Sequence, residues 1–178
     1  MTAIIRPAAE TDLPAILAIY NDAVDRTTAI WNDQPVDLAN RRAWLRARTA
    51  QGFPVLVAQE DGVVVGYGSF ADFRPFDGYR FTVEHSVYVA EGVRRRGIAS
   101  SLLAALEERA RAMGKHVMVG GIAADNEASL KLHERLGFVE TGRMPQVGFK
   151  FDRWLDLVLI QKTLTAAAAT GGDTDSRS

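Results

Sequence analysis

The sequence of 178 residues contains no cysteine. This absence excludes disulfide bonds, thiolate metal sites and a cysteine nucleophile. The sequence also lacks Gly-Lys-Ser and Gly-Lys-Thr, which excludes a P-loop nucleotide site. Neither sign of charge dominates, because 21 basic and 22 acidic side chains leave a net charge of −1. The overall charge therefore gives no reason to expect nucleic acid or an anionic membrane as a partner.

No apolar run is long enough to span a membrane, and residues 1–7 lack the architecture of a signal peptide. We therefore expect a cytoplasmic protein. Hydrophobic residues make up 47% of the chain and charged residues 24%, and at this length we expect a single globular domain with its own core. That domain should cover residues 1–164, because residues 165–178 contain no aromatic side chain and are expected to form a disordered tail.

The apolar patterns predict an α/β chain. Helices should begin near Thr11 or Asp12, at Asp37, and at Asp125 or Asn126, which are all good N-cap residues. Residues 27–31 are β-prone. The predicted strands are residues 3–6, 54–59, 63–71, 84–89, 117–122, 139–142 and 154–162, with a connection at 143–153 before the last of them.

The most informative stretch is a strand at residues 84–89, followed by an arginine-rich turn and a helix. Ile98, Leu102 and Leu106 recur at helical spacing, and Gly97 stands where that helix begins. A helix N-terminus offers unpaired N–H groups and a partial positive charge, and glycine lets a ligand approach the backbone. The turn is therefore suited to a phosphate or pyrophosphate group. The alternative is a solvated basic turn.

Two motifs give this stretch a resemblance to a known family. The pattern Arg94-x-x-Gly97-x-Ala99 after a Val-Tyr-Val strand resembles the acyl-CoA pyrophosphate loop of the GNAT acetyltransferase superfamily. The family's second motif is matched downstream by Asn126, Ser129, His133, Gly137 and Phe138. Residues 83–89 and 132–138 are similar to those of the phosphinothricin and methionine sulfoximine N-acetyltransferases. The likeness runs from about residue 5 to residue 164.

The resemblance implies the GNAT fold, a mixed and bent sheet of six or seven strands flanked by helices. It also implies acetyl-CoA as co-substrate and no metal. In the family, the strands ending at Val89 and containing Val117 splay apart, and the pantetheine arm lies in the gap. The residues implied in acetyl-CoA binding are Val87, Tyr88, Val89, Arg94, Arg95, Arg96, Gly97, Ile98, Ala99, Ser100, Asn126 and Ser129.

Acetyl transfer to an amine requires a base, a donor for the oxyanion and a proton for the thiolate. Without cysteine, direct attack on acetyl-CoA is the simplest mechanism. Glu84 and His85 stand on the central strand and point to opposite faces. The resemblance implies that Glu84 is a base, that His85 shapes the acceptor site, and that His133 lies near the CoA sulfur, with Tyr88 as a spare donor. The sequence leaves open which group is the base, or whether water is, and whether Glu84 is only a structural ion-pair partner.

A loop of aromatic residues and arginine follows residue 71. Its Arg74 suits an α-carboxylate, because a guanidinium grips two oxygens together; the alternative is a surface arginine. The resemblance favours a small amino acid analogue such as methionine sulfoximine, methionine sulfone or phosphinothricin. The candidate acceptor residues are Phe73, Arg74, Pro75, Phe76, Glu84, His85, Ser86 and Lys150.

Related enzymes are homodimers, so the resemblance also implies a homodimer in which Phe149 and Lys150 can act in trans. Trp31 is a candidate for the pocket wall or for the core. Two other functions fit the same motifs: protein N-terminal acetylation, and acyl-CoA binding without turnover. An open acceptor groove would favour N-terminal acetylation, whereas the loop at residues 73–76 suggests a closed pocket.

Overall fold

The computed structural model describes residues 3–93 and 95–164. Arg94 and the expected tail at 165–178 lie outside these residues. The helices are α1 (Leu13–Arg26), α2 (Leu38–Ala50), α3 (Ile98–Ala112) and α4 (Glu127–Arg135). The strands are β1 (Ile4–Pro7), β2 (Val55–Glu60), β3 (Val63–Asp72), β4 (Thr82–Val89), β5 (Val117–Ala123), β6 (Val139–Lys150) and β7 (Arg153–Thr163). The predicted α/β fold is confirmed.

All seven strands form one sheet, in the order β1-β2-β3-β4-β5-β7-β6. β4 and β5 run parallel, and they pair only where Thr82, Val83 and Glu84 face residues 117–119. Beyond Glu84 the two strands separate, although β4 stays paired with β3 as far as Val89. The splay implied by the resemblance is therefore present, and it opens a gap in the middle of the sheet.

Helices cover both faces of the sheet. Leu102 and Leu106 of α3 are fully buried in the larger core, against one face, and burying a leucine contributes about 1.5–3 kcal/mol. α3 lies close to the sheet because Gly68 has no side chain: a Cβ there would stand 3.0 Å from Leu106 Cδ1. α1 and α2 pack on the opposite face around Leu13 and Tyr67. No helix in the described part of the chain is both long and apolar enough to cross a membrane.

Two of the predicted helix caps are confirmed. The Asp37 side chain accepts a hydrogen bond from the Asn40 backbone N–H, and that of Asn126 accepts one from the Ser129 N–H. Asp12 precedes α1 as expected, but its carboxylate accepts from the Ala9 N–H and from the Arg6 guanidinium instead. These bonds stabilise the start of the chain against the sheet.

Residues 27–31 do not form a strand, and that prediction is wrong. Several of their carbonyl oxygens accept hydrogen bonds from side chains. These oxygens therefore do not pair with the backbone of a neighbouring strand. The Trp31 indole N–H donates to the Thr28 carbonyl at 2.8 Å, and the Lys150 ammonium donates to that of Thr27 at 2.8 Å. The segment is thereby held as a bent connection after α1.

The last two strands are longer than the sequence predicts, and the expected connection at 143–153 is wrong. β6 reaches Lys150, and only Phe151 and Asp152 separate it from β7. Both turn residues are left-handed, with φ of 51° and 55°. Such a turn normally uses asparagine or glycine, and Pro145 and Gly148 inside β6 also disfavour a strand. The strand tolerates them because its register shifts between Met144 and Gly148.

Candidate active site

A cleft of about 1030 Å³ runs from the gap between β4 and β5 to the start of α3. Its walls come from α1, the splayed part of β4, the first turn of α3, and α4. Of the residues that the sequence assigns to acetyl-CoA, the cleft is lined by Val87, Tyr88, Val89, Arg95, Gly97, Ile98, Ala99, Ser100, Asn126 and Ser129. The structure thus brings the two motifs together around one opening.

The first turn of α3 forms the anion-binding end of this cleft. Gly97 has φ of +80° and no atom within 4 Å of the position a Cβ would occupy, so it supplies a left-handed turn and leaves the backbone open. α3 begins at Ile98, and the N–H groups of its first turn have no carbonyl one turn earlier to bind. The geometry fits a pyrophosphate.

The Arg96 side chain lies outside the cleft. Its guanidinium pairs with Glu60 at the end of β2, at 3.1 Å, and the Glu60 carboxylate is nearly buried. Arg95, by contrast, lines the cleft and has φ of +65°. Arg96 therefore attaches the turn to the sheet. Arg95 lines the anion-binding end of the cleft.

A second, smaller pocket of about 380 Å³ joins the cleft through the splay. Glu84, His85 and Ser86 line it, together with Ala71 and Gly121. The two cavities share six residues, which therefore mark where they meet: Ala29, Val87, Tyr88, Asn126, Ser129 and His133. A group entering from the smaller pocket would meet the end of a ligand lying in the cleft.

Glu84 and His85 point to opposite faces, as the alternation of a strand predicts. The Glu84 carboxylate lies beside Gly121, whose Cβ position is 3.6 Å from Oε1. Its side chain is open to the pocket, yet burial among the surrounding atoms raises the pKa of Glu84, and the positive charge of Arg74 partly opposes this rise. A carboxylate with a raised pKa is suited to accept a proton near neutral pH.

His85 is buried against Gly120. A Cβ on Gly120 would stand 2.8 Å from His85 Nε2, so the glycine makes room for the imidazole. Burial, reinforced by His133, lowers the pKa of His85 to about 3. The ring is therefore neutral at physiological pH, and neither of its nitrogens has a partner within the described residues. This histidine forms a wall of the pocket and does not exchange protons near neutral pH.

His133 stacks on His85, with ring centroids 5.0 Å apart and planes 11° from parallel. His133 Nδ1 donates to the Ser129 carbonyl oxygen at 2.8 Å, because a carbonyl can only accept. Burial lowers the pKa of His133 despite this bond, so the ring is neutral and Nε2 carries a lone pair. Nε2 is buried and has no partner in the described chain. At neutral pH His133 is an acceptor and not a proton donor.

Tyr88 is the remaining proton carrier where the two cavities meet. Burial raises the pKa of its phenol to about 12, so the group keeps its proton at neutral pH. Its ring rests against Tyr67, with centroids 5.3 Å apart. The structure favours Tyr88 over His133 as a donor, a choice that the sequence left open.

The structure does not bring the loop at residues 73–76 to the smaller pocket. Phe76 is 70% exposed, and the Arg74 guanidinium lies 4.6 Å over the Phe73 ring, outside the pocket wall. The loop's packing is limited because it continues past the end of β3. The expected closed pocket is therefore not formed by this loop within the described chain.

Lys150 is buried, and the structure contradicts its place as an anion-binding residue. Its ammonium donates to three backbone carbonyls, those of Val24, Thr27 and Ile30, at 2.5 to 2.8 Å. All three hydrogens are used, so none remains for a substrate. Lys150 instead holds the end of α1 and the segment after it, which forms part of the cleft wall. Trp31 contacts Gly148 in the same region.

Sequence reasoning missed Arg48, which lies in the last turn of α2 and lines the smaller pocket. In the sequence, Arg48 is one of several arginines on a polar helix, and nothing in the neighbouring residues distinguishes it from a surface arginine. Only the packing of α2 on the sheet brings it to the pocket. Within the described residues, no group of His, Asp or Glu side chains is arranged to hold a metal ion.

Comparison with known proteins places these features in a family. The sequence profile of the Acetyltransferase (GNAT) family matches residues 16–138. The chain is 61% identical to the L-methionine sulfoximine/L-methionine sulfone acetyltransferase of Pseudomonas paraeruginosa (strain DSM 24068 / PA7), covering 92% of this chain and 96% of that protein. It is 39% identical to the phosphinothricin N-acetyltransferase of Alcaligenes faecalis, covering 93% and 85%.

Two solved structures are similar over nearly the whole chain. One is yncA, a putative acetyltransferase from Salmonella typhimurium with its cofactor acetyl-CoA: TM-score 0.90, 53% identity, covering 97% of this chain and 100% of that one. The other is the ribosomal-protein-alanine N-acetyltransferase from Brucella melitensis: TM-score 0.89, 56% identity, covering 90% and 99%.

Proposed function

The chain belongs to the GNAT acetyltransferase family, and from this premise we propose that it is an acetyl-CoA-dependent amino-acid N-acetyltransferase. Its acceptor is the α-amino group of a small amino acid analogue: methionine sulfoximine, methionine sulfone or phosphinothricin. The observation that carries the proposal is the junction of the two cavities at the splay between β4 and β5. The larger cavity ends in a helix N-terminus, and the smaller contains a carboxylate of raised pKa.

Acetyl-CoA fits the larger cleft. The N–H groups at the start of α3 and the Arg95 side chain face the pyrophosphate end. Backbone groups of Val87–Val89 face β5 without pairing to it, so they are free to bind the pantetheine arm as an added strand would. Bound in this way, the thioester supplies an activated acetyl group at the junction with the smaller pocket. Asn126 and Ser129 line that junction.

We assign the proton transfers to two side chains. Glu84 takes a proton from the acceptor's ammonium, directly or through water, and the free amine attacks the thioester carbonyl. A C–N bond forms, the C–S bond breaks, and the thiolate takes a proton from the Tyr88 hydroxyl. The second proton of the attacking nitrogen returns to the Tyr88 oxygen as the amide forms, and Glu84 releases its proton to water. His85 and His133 stay neutral and line the same pocket as these two groups, which limits the water that reaches them.

Arg74 is our candidate for the acceptor's α-carboxylate. Its charge already acts on Glu84, which places a positive group near the site of the reacting amine. The guanidinium is stacked on Phe73 and exposed, so it can take a carboxylate at the mouth of the pocket. Ser86 lines the smaller pocket and is a further candidate to contact the acceptor.

We also propose that the enzyme is a homodimer in the cytoplasm. The β6–β7 hairpin carries a cluster of exposed apolar side chains: Met144, Val147, Phe149, Phe151 and Trp154, each 45–61% exposed. Contiguous apolar surface of this kind marks interaction sites. A second copy is the partner we propose, since a two-fold contact would bury this cluster against the same cluster of the other copy.

Protein N-terminal acetylation is the second candidate. The similarity to a ribosomal-protein-alanine N-acetyltransferase and the exposed loop at residues 73–76 favour it. A polypeptide acceptor has no free α-carboxylate on the residue that is acetylated, so Arg74 would have nothing to bind. Acyl-CoA binding without turnover is the third alternative, and a thioester-cleavage assay distinguishes it.

The test is a plate assay of free-thiol release from acetyl-CoA. The acceptors are methionine sulfoximine, methionine sulfone, phosphinothricin, unmodified amino acids, and peptides that begin with alanine. We expect release with the amino acid analogues and little with the peptides. Release only with peptides would support the second candidate, and release with none of them would contradict both enzymatic functions.

A further inference from the structure

The smaller pocket has a cation of its own besides the exposed Arg74. Arg48 extends from the last turn of α2 and lines the pocket together with Ala71, Glu84 and Ser86. Its Nε is buried and has no hydrogen-bond partner among the described residues. Its backbone carbonyl accepts from the Phe53 N–H, so the end of α2 is fixed in place independently of the side chain.

Burying part of an arginine side chain without a hydrogen-bond partner costs free energy of folding that no interaction offsets. Burial lowers the pKa of Arg48, and no opposing contribution from a carboxylate is resolved. Other partly buried arginines of the described chain bind an acceptor: Arg41 donates to the Asn40 side chain, and Arg6 to Asp12. A buried N–H without an acceptor costs about 1–3 kcal/mol, so the side chain is not held by the protein at this atom. Arg48 also lines the pocket, so its guanidinium can donate to a ligand that brings acceptor oxygens.

An α-carboxylate is one possible acceptor group, but Arg74 already accounts for it at the mouth of the pocket. The other oxygens of the proposed substrates are those on sulfur or phosphorus, at the far end of the side chain. These oxygens accept strongly and, in a sulfone, have no donor of their own. Buried without a donor, they would lose affinity, and the guanidinium of Arg48, which lines the pocket, is the donor on this wall.

We propose that Arg48 is a specificity-determining residue that donates to the sulfonyl, sulfoximine or phosphinate oxygen of the acceptor. The assignment rests on the proposed function, because it concerns the substrate of that reaction. Methionine has the same chain without these oxygens, and it leaves Arg48 unpaired when bound. Arg48 therefore makes oxidised methionine a better acceptor than methionine itself.

The experiment compares kcat/KM for L-methionine sulfone with kcat/KM for L-methionine, in the wild type and in Arg48→Met. Methionine at position 48 keeps the length of the side chain and suits a helix. We expect the sulfone-to-methionine ratio to fall about ten- to hundredfold, the usual value of a hydrogen bond to a charged group. Arg48→Lys keeps the charge but moves the donors, and should also lower the ratio.

Two control variants are available in the same chain. Arg74→Met should lower kcat/KM equally for both substrates, because both have the α-carboxylate. Arg46→Met, on the same helix, replaces an exposed side chain paired with Glu10 at the surface and should leave the ratio unchanged. The fold of each variant is checked by circular dichroism.

An unchanged ratio in folded Arg48→Met would overturn the assignment while leaving the proposed function intact. If Arg48→Met does not fold, an unchanged ratio in Arg48→Lys has the same meaning. No turnover of either amino acid by the wild type would overturn the proposed function itself, and the assignment with it.

Discussion

Three side chains with different protonation states line the smaller pocket, and burial is the largest influence on the pKa of each. It raises the pKa of the Glu84 carboxyl, lowers that of the His85 imidazole, and raises that of the Tyr88 phenol. At neutral pH the first can accept a proton, the second is neutral, and the third holds a proton to donate. Opposed shifts of this kind are how a site separates its base from its acid.

Replacing Glu84 by glutamine keeps the shape of the base and removes its basicity. We expect kcat to fall about 10²–10⁴-fold near neutral pH, the usual value of a general base, with acetyl-CoA affinity unchanged. In the wild type, kcat should decrease as the pH falls, with an apparent pKa above that of an ordinary glutamate. The kcat of Glu84→Gln should not show this decrease. Glu108→Gln, an exposed control, should behave as wild type. If Glu84→Gln keeps kcat within a fewfold, another group is the base.

Stability should depend on pH through His85. Its folded-state pKa of about 3 lies below the ordinary 6.5, so below about pH 6.5 the unfolded chain binds a proton that the folded chain does not. The free energy of unfolding should therefore fall by about 1.4 kcal/mol per pH unit from this residue as the pH drops toward 3. His85→Leu should reduce the slope by that amount, as measured by urea unfolding at several pH values.

His116 provides the matched control, because it is exposed. His116→Gln should keep the wild-type slope. Equal slopes in the wild type and in His85→Leu would show that His85 is not held neutral by its surroundings.

Individual side chains were the hardest features to predict from the sequence. Glu84 and His133 could be proposed from the sequence because they belong to motifs. Lys150 was misassigned, and Arg48 was missed, because nothing local tells a lysine that caps a helix end from one that binds a substrate. Those roles depend on contacts between residues far apart in the chain, such as Lys150 and Val24, whose positions differ by 126.

At the scale of single elements, the start of α3 is the part that local chemistry predicts best. A glycine followed by an apolar helix gives a left-handed residue, a helix start and free N–H groups in a row. The splay beside it is different. It depends on where β4 and β5 stop pairing, which the family resemblance supplied and the strand patterns did not.

A charge introduced at the start of α3 should block the cofactor. Gly97→Asp places a carboxylate where the pyrophosphate is expected, so acetyl-CoA affinity should fall tenfold or more, as measured by calorimetry. Like charges repel, and the side chain also fills the space that glycine leaves open. The left-handed φ of +80° strains any side chain at this position, by about 1–2 kcal/mol, but no atom lies within 4 Å of the Cβ position, so the fold should survive.

The control is Gly92→Asp, which adds the same charge to the same turn. Its Cβ position is also open, and it does not line the cleft. Unchanged acetyl-CoA affinity in folded Gly97→Asp, or an equal loss in Gly92→Asp, would contradict the pyrophosphate assignment.

The β6–β7 hairpin shows what the sequence could not predict at this scale. Strand rules exclude Pro145 and Gly148 from a strand interior and require asparagine or glycine in a two-residue turn. The chain breaks both rules, because the β7 ladder tolerates a register shift and Phe151 and Asp152 adopt left-handed conformations themselves. Pairing with β7 therefore outweighs the low β-propensity of these residues.

For the whole molecule, the sheet has an opening in the middle, and the two cavities meet there. The opening exists because a single parallel pair, β4 and β5, stands in an otherwise antiparallel sheet and separates after three residue pairs. Cofactor and acceptor can therefore meet at the opening. Direct transfer between them needs no covalent intermediate on the protein, and the chain has no cysteine to form one.

The exposed apolar cluster on the β6–β7 hairpin predicts a dimer. Trp154 is 61% exposed, and Trp154→Glu should shift the protein from dimer to monomer in sedimentation velocity, because a buried unpaired charge disfavours the contact. Val139→Glu alters an equally exposed residue at the other end of β6 and should leave the dimer intact. A monomeric wild type, or a dimer unaffected by Trp154→Glu, would contradict this interface.

The central claim is transfer of acetyl to an α-amine whose carboxylate is held by Arg74 and whose proton goes to Glu84. Methionine sulfoximine tests it most directly, because it has two nitrogens, one on the α-carbon and one on sulfur. The enzyme is supplied with acetyl-CoA labelled at the acetyl carbonyl carbon, and the product is analysed by heteronuclear NMR. We predict a correlation between the labelled carbonyl and the α-proton, which places the acetyl group on the α-nitrogen. Acetylation of the sulfoximine nitrogen, or no acetylated product, would contradict the claim.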